Sequence, residues 1–165
     1  MSDRFSFPRA AAGIVFLALM FVLAPPSAEA ANATPLPGTQ VIKTKSSFAG
    51  LRKKLEAAVQ ANKMYVVTRA SASGGGVGRG IEILGNLVIG ACRNDFAVRM
   101  LKASVASGIE APLRFYVTEN SDGTAPLTYR EPSAIFALYD NADLTKMAKE
   151  LDAIWRRIAV QATGG

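Results

Sequence analysis

Leu113-Arg114-Phe115-Tyr116-Val117-Thr118 is the stretch whose reading decides the fold. Leu113, Phe115 and Val117 alternate with polar neighbours, and residues two apart in a strand share one face. Asn120-Ser121-Asp122-Gly123 is turn chemistry, and Leu127 and Tyr129 resume the alternation on the way back. The segment is therefore a β-hairpin with a longer loop, ended by Pro132. One of its faces is apolar and has to be buried. The other carries Arg114, Tyr116, Thr128 and Arg130.

Downstream, Ser133 to Tyr139 predicts a short helix. A longer helix follows, on which Leu144, Met147, Ala148, Leu151, Ile154, Trp155 and Ile158 form one stripe, with Asp143 as its expected cap. Such a stripe must pack against something, most simply the apolar face of an antiparallel sheet. Upstream, Thr39–Lys43 reads as a first strand. Ser46 or Ser47 then caps a helix with Phe48, Leu51, Leu55 and Val59 on one face, closed by Asn62 and Lys63. Met64–Thr68 is β-branched and aromatic, hence a strand. Ser71–Gly80 has no side chains with which to build a core and reads as a loop, and Leu87–Ala91 reads as a buried strand. Asn94 or Asp95 is the expected cap of a helix whose core face carries Phe96, Met100, Leu101 and Val105, ended by Gly108. The order strand-helix-strand-strand-helix-hairpin-helix specifies an α+β fold, an antiparallel-rich sheet packed on one face by helices.

The first thirty residues have a different character. Arg4 and Arg9 precede an apolar run from Ala10 to Ala24. Pro25 and Pro26 stop it, and Ala28-Glu29-Ala30 is a small-x-small site. This predicts a signal peptide over residues 1–30, cleaved between Ala30 and Ala31, and a periplasmic or secreted product. The run is shorter than the roughly 20 residues that a membrane-crossing helix needs. No transmembrane span is expected after cleavage. Residues 31–38 read as a flexible leader, and residues 39–162 as one domain.

Composition narrows the chemistry. Residues 1–30 contain two basic and two acidic residues, so the net charge of +6 belongs to the rest of the chain. The basic residues are scattered rather than blocked, and an exported chain has little call for nucleic acid, so that partner is excluded. Histidine is absent. This removes the commonest general base and metal ligand, every Ser-His or Cys-His pair, and proximal-histidine haem ligation. One cysteine cannot build the usual zinc sites.

Cys92 lies between a buried strand and a helix. It reads as a buried structural cysteine, a reactive thiol, or a ligand for a soft metal or haem. In the reactive reading, Arg93 and the positive end of the following helix favour the thiolate. Met64, Met100 and Met147 are the thioethers available to assist with Cu(I). A lone thiol in an oxidising compartment has no partner within its own chain. The Gly74–Gly80 run lacks both the dinucleotide-fold glycine spacing and the Gly-Lys-Ser/Thr of a phosphate loop. It reads as a connection, or as a nest of backbone N–H groups with Arg79 that takes an anion. Glu119, Asp122, Glu131, Asp140 and Asp143 sit at turns and caps, which accounts for them without catalysis. Arg114, Tyr116 and Arg130 share a polar, aromatic face that is solvated, binds an anion, or meets a second subunit.

Leu87-Val88-Ile89-Gly90 leading into Arg93-Asn94-Asp95-Phe96, then Ala111-Pro112-Leu113-Arg114-Phe115-Tyr116-Val117, resemble the family called domain of unknown function 302. Asp122-Gly123, Leu127-Thr128-Tyr129 and Glu131-Pro132-Ser133 extend the resemblance, which spans Lys43 to Ala159. Many relatives have Asn-Pro where this chain has Arg93-Asn94-Asp95, and the secreted relatives are closer to this spelling. The resemblance implies a small α+β domain that often pairs as a homodimer. It brings no reaction, cofactor or catalytic residue. The reading is of a non-enzymatic periplasmic module for a small ligand or protein partner, with unknown cofactors. The alternative is a thiol-dependent redox or soft-metal or haem-handling protein centred on Cys92. Arg79, Arg93, Arg114, Tyr116 and Arg130 are the candidate ligand contacts.

Overall fold

The hairpin forms the middle of the sheet. β4 (Leu113–Thr118) pairs with β5 (Leu127–Arg130) on one side and with β3 (Asn86–Cys92) on the other. β1 (Thr39–Ile42) closes one edge against β5, and β2 (Tyr65–Ala70) closes the other against β3. The order is β1-β5-β4-β3-β2, with every pair antiparallel. These features come from a computed structural model, which describes residues 35–165. The predicted signal peptide, its cleavage site at Ala30/Ala31 and the first part of the leader lie outside the described residues. The end of the leader is tied down, because Gly38 O accepts the Glu131 N–H at 2.7 Å.

Alternation along the strands sorts their residues into two faces. Leu87, Ile89, Phe115, Val117, Leu127 and Tyr129 are buried under the helices. α1 (Phe48–Ala61) starts where Ser47 Oγ accepts the Gly50 N–H, and it buries Leu51, Leu55 and Val59. α5 (Ala142–Thr163) lays its stripe beside α1, from Leu144 through Trp155 to Ala162. The Trp155 indole stacks on Phe115 of β4 at 5.3 Å between ring centroids. Phe96 and Met100 of α3 (Asn94–Ala103), with Ile135 and Phe136 of α4 (Pro132–Phe136), complete the cluster. A fully buried side chain of this size stabilises by about 1.5–3 kcal/mol relative to exposure, and that apolar layer holds the two-layer α+β fold together. Among the described residues no helix is long and apolar enough to cross a membrane.

Four local expectations need correction. Ser71–Gly80 is not all loop, because Ala72–Val77 forms a short helix, α2. Ser71 Oγ accepts the Gly74 N–H, and Asn86 Oδ1 accepts the Ala72 N–H, so neighbours supply the order that the glycines lack. α3 is preceded by Arg93, which makes no side-chain cap; neither Asn94 nor Asp95 caps it. It ends at Ala103, one turn earlier than Gly108 implies. Val105 is left outside the helix at 80% exposure, and Leu101 is 46% exposed, so neither belongs to the core face. The cap of α5 is Asn141, whose Oδ1 accepts the Leu144 N–H at 3.0 Å, while Asp143 sits inside the first turn.

Candidate functional site

None of α1, α3 and α5 packs on the second face of the sheet. The register carries one row straight across its five strands: Val41, Thr128, Tyr116, Val88 and Ala70 are successive cross-strand partners. Val41 is 46% exposed and Tyr116 40%. The adjacent row pairs Thr39 with Arg130, and Arg114 with Gly90 and so with Thr68. Gly90 is required there, because Thr68 Oγ1 and Pro112 occupy the space that a Cβ would need. Arg114 and Tyr116 thus stand together on this face, with Arg130 on the neighbouring strand. Sequence reasoning found these three but missed Val41 and Val88. They join the face only once β1 pairs with β5 and β3 with β4, and no local signal carries that pairing.

Cys92 ends β3, in the alternation of Val88 and Gly90 rather than that of Leu87, Ile89 and Ala91. It is paired with the exposed Tyr65. It also borders a cavity of about 30 Å³ whose lining includes Met64, Met100, Met147 and Trp155. The three methionines are buried on the helix side, whereas the pleat of β3 turns the Cys92 side chain to the other. The four residues therefore line one cavity, but the Cys92 side chain does not share the methionines' side of the sheet. The expected thiolate is also disfavoured. Burial pushes the Cys92 thiol up, the Arg93 backbone N–H offsets this in part, and the Asp95 charge adds to the rise. The Arg93 guanidinium is engaged elsewhere. It binds the Asp95 carboxylate in two-pronged fashion at 2.6 and 3.0 Å and lies 4.5 Å over the Phe96 ring. Arg93 is thus a capping-region ion pair beside Cys92, and its partner's carboxyl is held below the usual range by that hydrogen bond.

Arg79 lies apart, after α2, and is exposed. The N–H groups of Gly74, Gly75, Arg79 and Gly80 are all used within their own segment. No nest of free donors is available at those positions. Three of the carboxylates are likewise engaged in local hydrogen bonds. Glu119 accepts the Gly85 N–H, Asp122 accepts from Thr124, and Glu131 accepts from Gln40. Among the described residues no group of three or more Cys, Asp or Glu is arranged to hold a metal ion.

With this geometry in hand, the sequence profile of the domain of unknown function DUF302 matches residues 40–162. The chain belongs to the DUF302 family. A solved structure titled as an uncharacterized conserved DUF302 protein from Bacillus stearothermophilus is similar to it. That protein is 13% identical, with a TM-score of 0.69 over 77% of this chain and 99% of the other. At that identity the likeness concerns the fold alone. No curated protein gives a significant match. DUF302 membership thus accounts for the α+β architecture, and the residues themselves must carry any reading of function.

Proposed function

We propose that this DUF302 chain is an exported, non-catalytic binding domain whose working surface is the helix-free face of its sheet. One observation carries the reading: a five-strand row from Val41 through Tyr116 to Ala70 that none of the long helices covers. A sheet of this kind commonly has one face on the core and one free, but the free face here bears exposed aromatic and aliphatic side chains instead of an all-polar surface. Native mass spectrometry of the protein taken from its own compartment tests this. The wild type carries a bound small molecule or partner that the Val41→Glu, Tyr116→Glu variant lacks. Identical spectra contradict the reading. Export with cleavage between Ala30 and Ala31 gives a chain that begins at Ala31 in the same spectra.

Self-association is a second part of the proposal, supported at a different surface. Val105, Ile109 and Leu138 are 80%, 81% and 78% exposed. Their segments are drawn together where Tyr139 Oη donates to Glu110 and Asn141 Nδ2 to Ala103 O. Large exposed aliphatic groups on neighbouring segments are the material of contact surfaces, and a two-fold pair of copies buries the same surface on each. Light scattering then gives a dimer that Ile109→Glu converts to monomer, and a wild-type monomer at micromolar concentration contradicts it. A thiol-centred function finds less support, because burial favours the protonated form of Cys92 and Arg93 is committed to Asp95.

A further inference from the structure

We propose that Arg114 and Arg130 form a clamp for the oxyanion head of an amphiphilic small molecule, whose apolar body lies along Tyr116 and Val88. The proposal rests on the helix-free face being the working surface and names the ligand class that it takes. The β4–β5 ladder pairs Tyr116 with Thr128 and Phe115 with Tyr129. The paired ladder ends at Phe115–Tyr129, and continuing its register by one step sets Arg114 opposite Arg130. Side chains directly opposite on neighbouring strands have Cβ atoms about 4.5–5.5 Å apart, and like charges placed so repel.

Some arginines of the described residues carry an internal counter-ion, whereas Arg79, Arg156 and Arg157 have none. The ion pairs among the described residues are Arg52 and Arg69 with Glu56, Arg93 with Asp95, and Arg99 with Glu150. Arg114 and Arg130 have none, and both are exposed. No strand position on the helix-free face carries a carboxylate. Two opposed guanidinium groups without an internal counter-ion are complementary to a carboxylate or phosphate, which each can bind through two parallel N–H donors. The neighbouring row supplies what the head group alone would not use. Tyr116 and Val88 are cross-strand partners next to Arg114 and its partner Gly90. Thr68 and Pro112 fill the space over Gly90, bounding the clamp on the β3 side. A charged head on the arginines with an apolar body over Tyr116 uses both rows.

The experiment is calorimetric titration of the mature chain with octanoate, octyl phosphate, inorganic phosphate and octylammonium. Octanoate and octyl phosphate bind, and the stronger of the two identifies the head group. Inorganic phosphate binds at least tenfold more weakly, and octylammonium does not compete. Arg114→Gln with Arg130→Gln weakens the amphiphile at least tenfold, and added salt weakens it progressively. Octylammonium binding as well as octanoate overturns the clamp, as does an affinity indifferent to the two glutamines, or no binding of either anionic amphiphile at millimolar concentration. If Val41→Glu abolishes binding while the glutamine pair does not, the clamp fails and the face survives. If neither variant has an effect, both fail.

Discussion

The Trp155 indole on α5 lies 5.3 Å from the Phe115 ring on β4, with the two planes inclined by only 10°. Both side chains are essentially inaccessible to solvent. The stack joins the longest helix to the middle strand, so it is one of the contacts through which the helical layer holds the sheet in place. Trp155→Ala is expected to destabilise the domain by about 3–5 kcal/mol, the usual cost of truncating a buried aromatic. Chemical denaturation followed by circular dichroism measures it. A loss below about 1 kcal/mol would mean that the layers are held elsewhere.

Asn141 caps α5 with its Oδ1 and also donates from Nδ2 to Ala103 O at 3.2 Å, tying the helix start to the end of α3. Asn141→Ala therefore loses a cap and a tertiary bond, about 1–2 kcal/mol in all. Asp143→Ala loses only a favourable charge in the first turn, about 0.3–1 kcal/mol. Thermal melts of the two variants should rank in that order. The reverse order would restore Asp143 as the cap.

Acid weakens one identifiable link between α1 and β2. Hydrogen bonding from Arg69 holds the Glu56 carboxyl below its usual value, with Arg52 assisting. A lowered folded value means that this stabilisation is fully present above the unfolded carboxyl value, about 4.3. It is lost as pH falls through the lower folded value. Glu56→Gln is expected to cost about 0.5–1 kcal/mol at neutral pH, as such partly exposed pairs do. The gap between variant and wild type should close as the solution is acidified below pH ~4. A gap that widens in acid contradicts the pairing.

Burial raises the Cys92 thiol. Alkylation of the native protein should therefore be slow at neutral pH and rise to a midpoint above that of the same cysteine in denaturant. Cys92→Ser should leave the melt nearly unchanged. A native midpoint below the denatured one would restore the thiolate and with it the redox reading.

How far the sequence could be read follows from which interactions are local. The β4 alternation, the α1 face and the α5 stripe are periodic over one or more turns or strand repeats, and each takes its expected place. α2 takes part of its order from Asn86, fourteen residues beyond Ala72, a contact that no local pattern reveals. Leu101 and Val105 continue the apolar content of α3, yet the backbone leaves the helix at Ser104 and the neighbours that would bury them are missing. The candidate site was half legible. Arg114, Tyr116 and Arg130 follow from alternation within one hairpin, whereas Val41 and Val88 reach Tyr116 only through pairings between strands distant in sequence. Cys92 was placed correctly between strand and helix, but its environment depended on Asp95 capturing Arg93.

The most direct test of the helix-free face is nuclear magnetic resonance of isotopically labelled residues 31–165 titrated with octanoate. The largest shift changes are expected at Tyr116, Val88, Thr128 and Val41, with the Arg114 and Arg130 side-chain resonances moving in parallel. Changes concentrated on the outer surface of α5, or around Cys92 and the buried methionines, would contradict it.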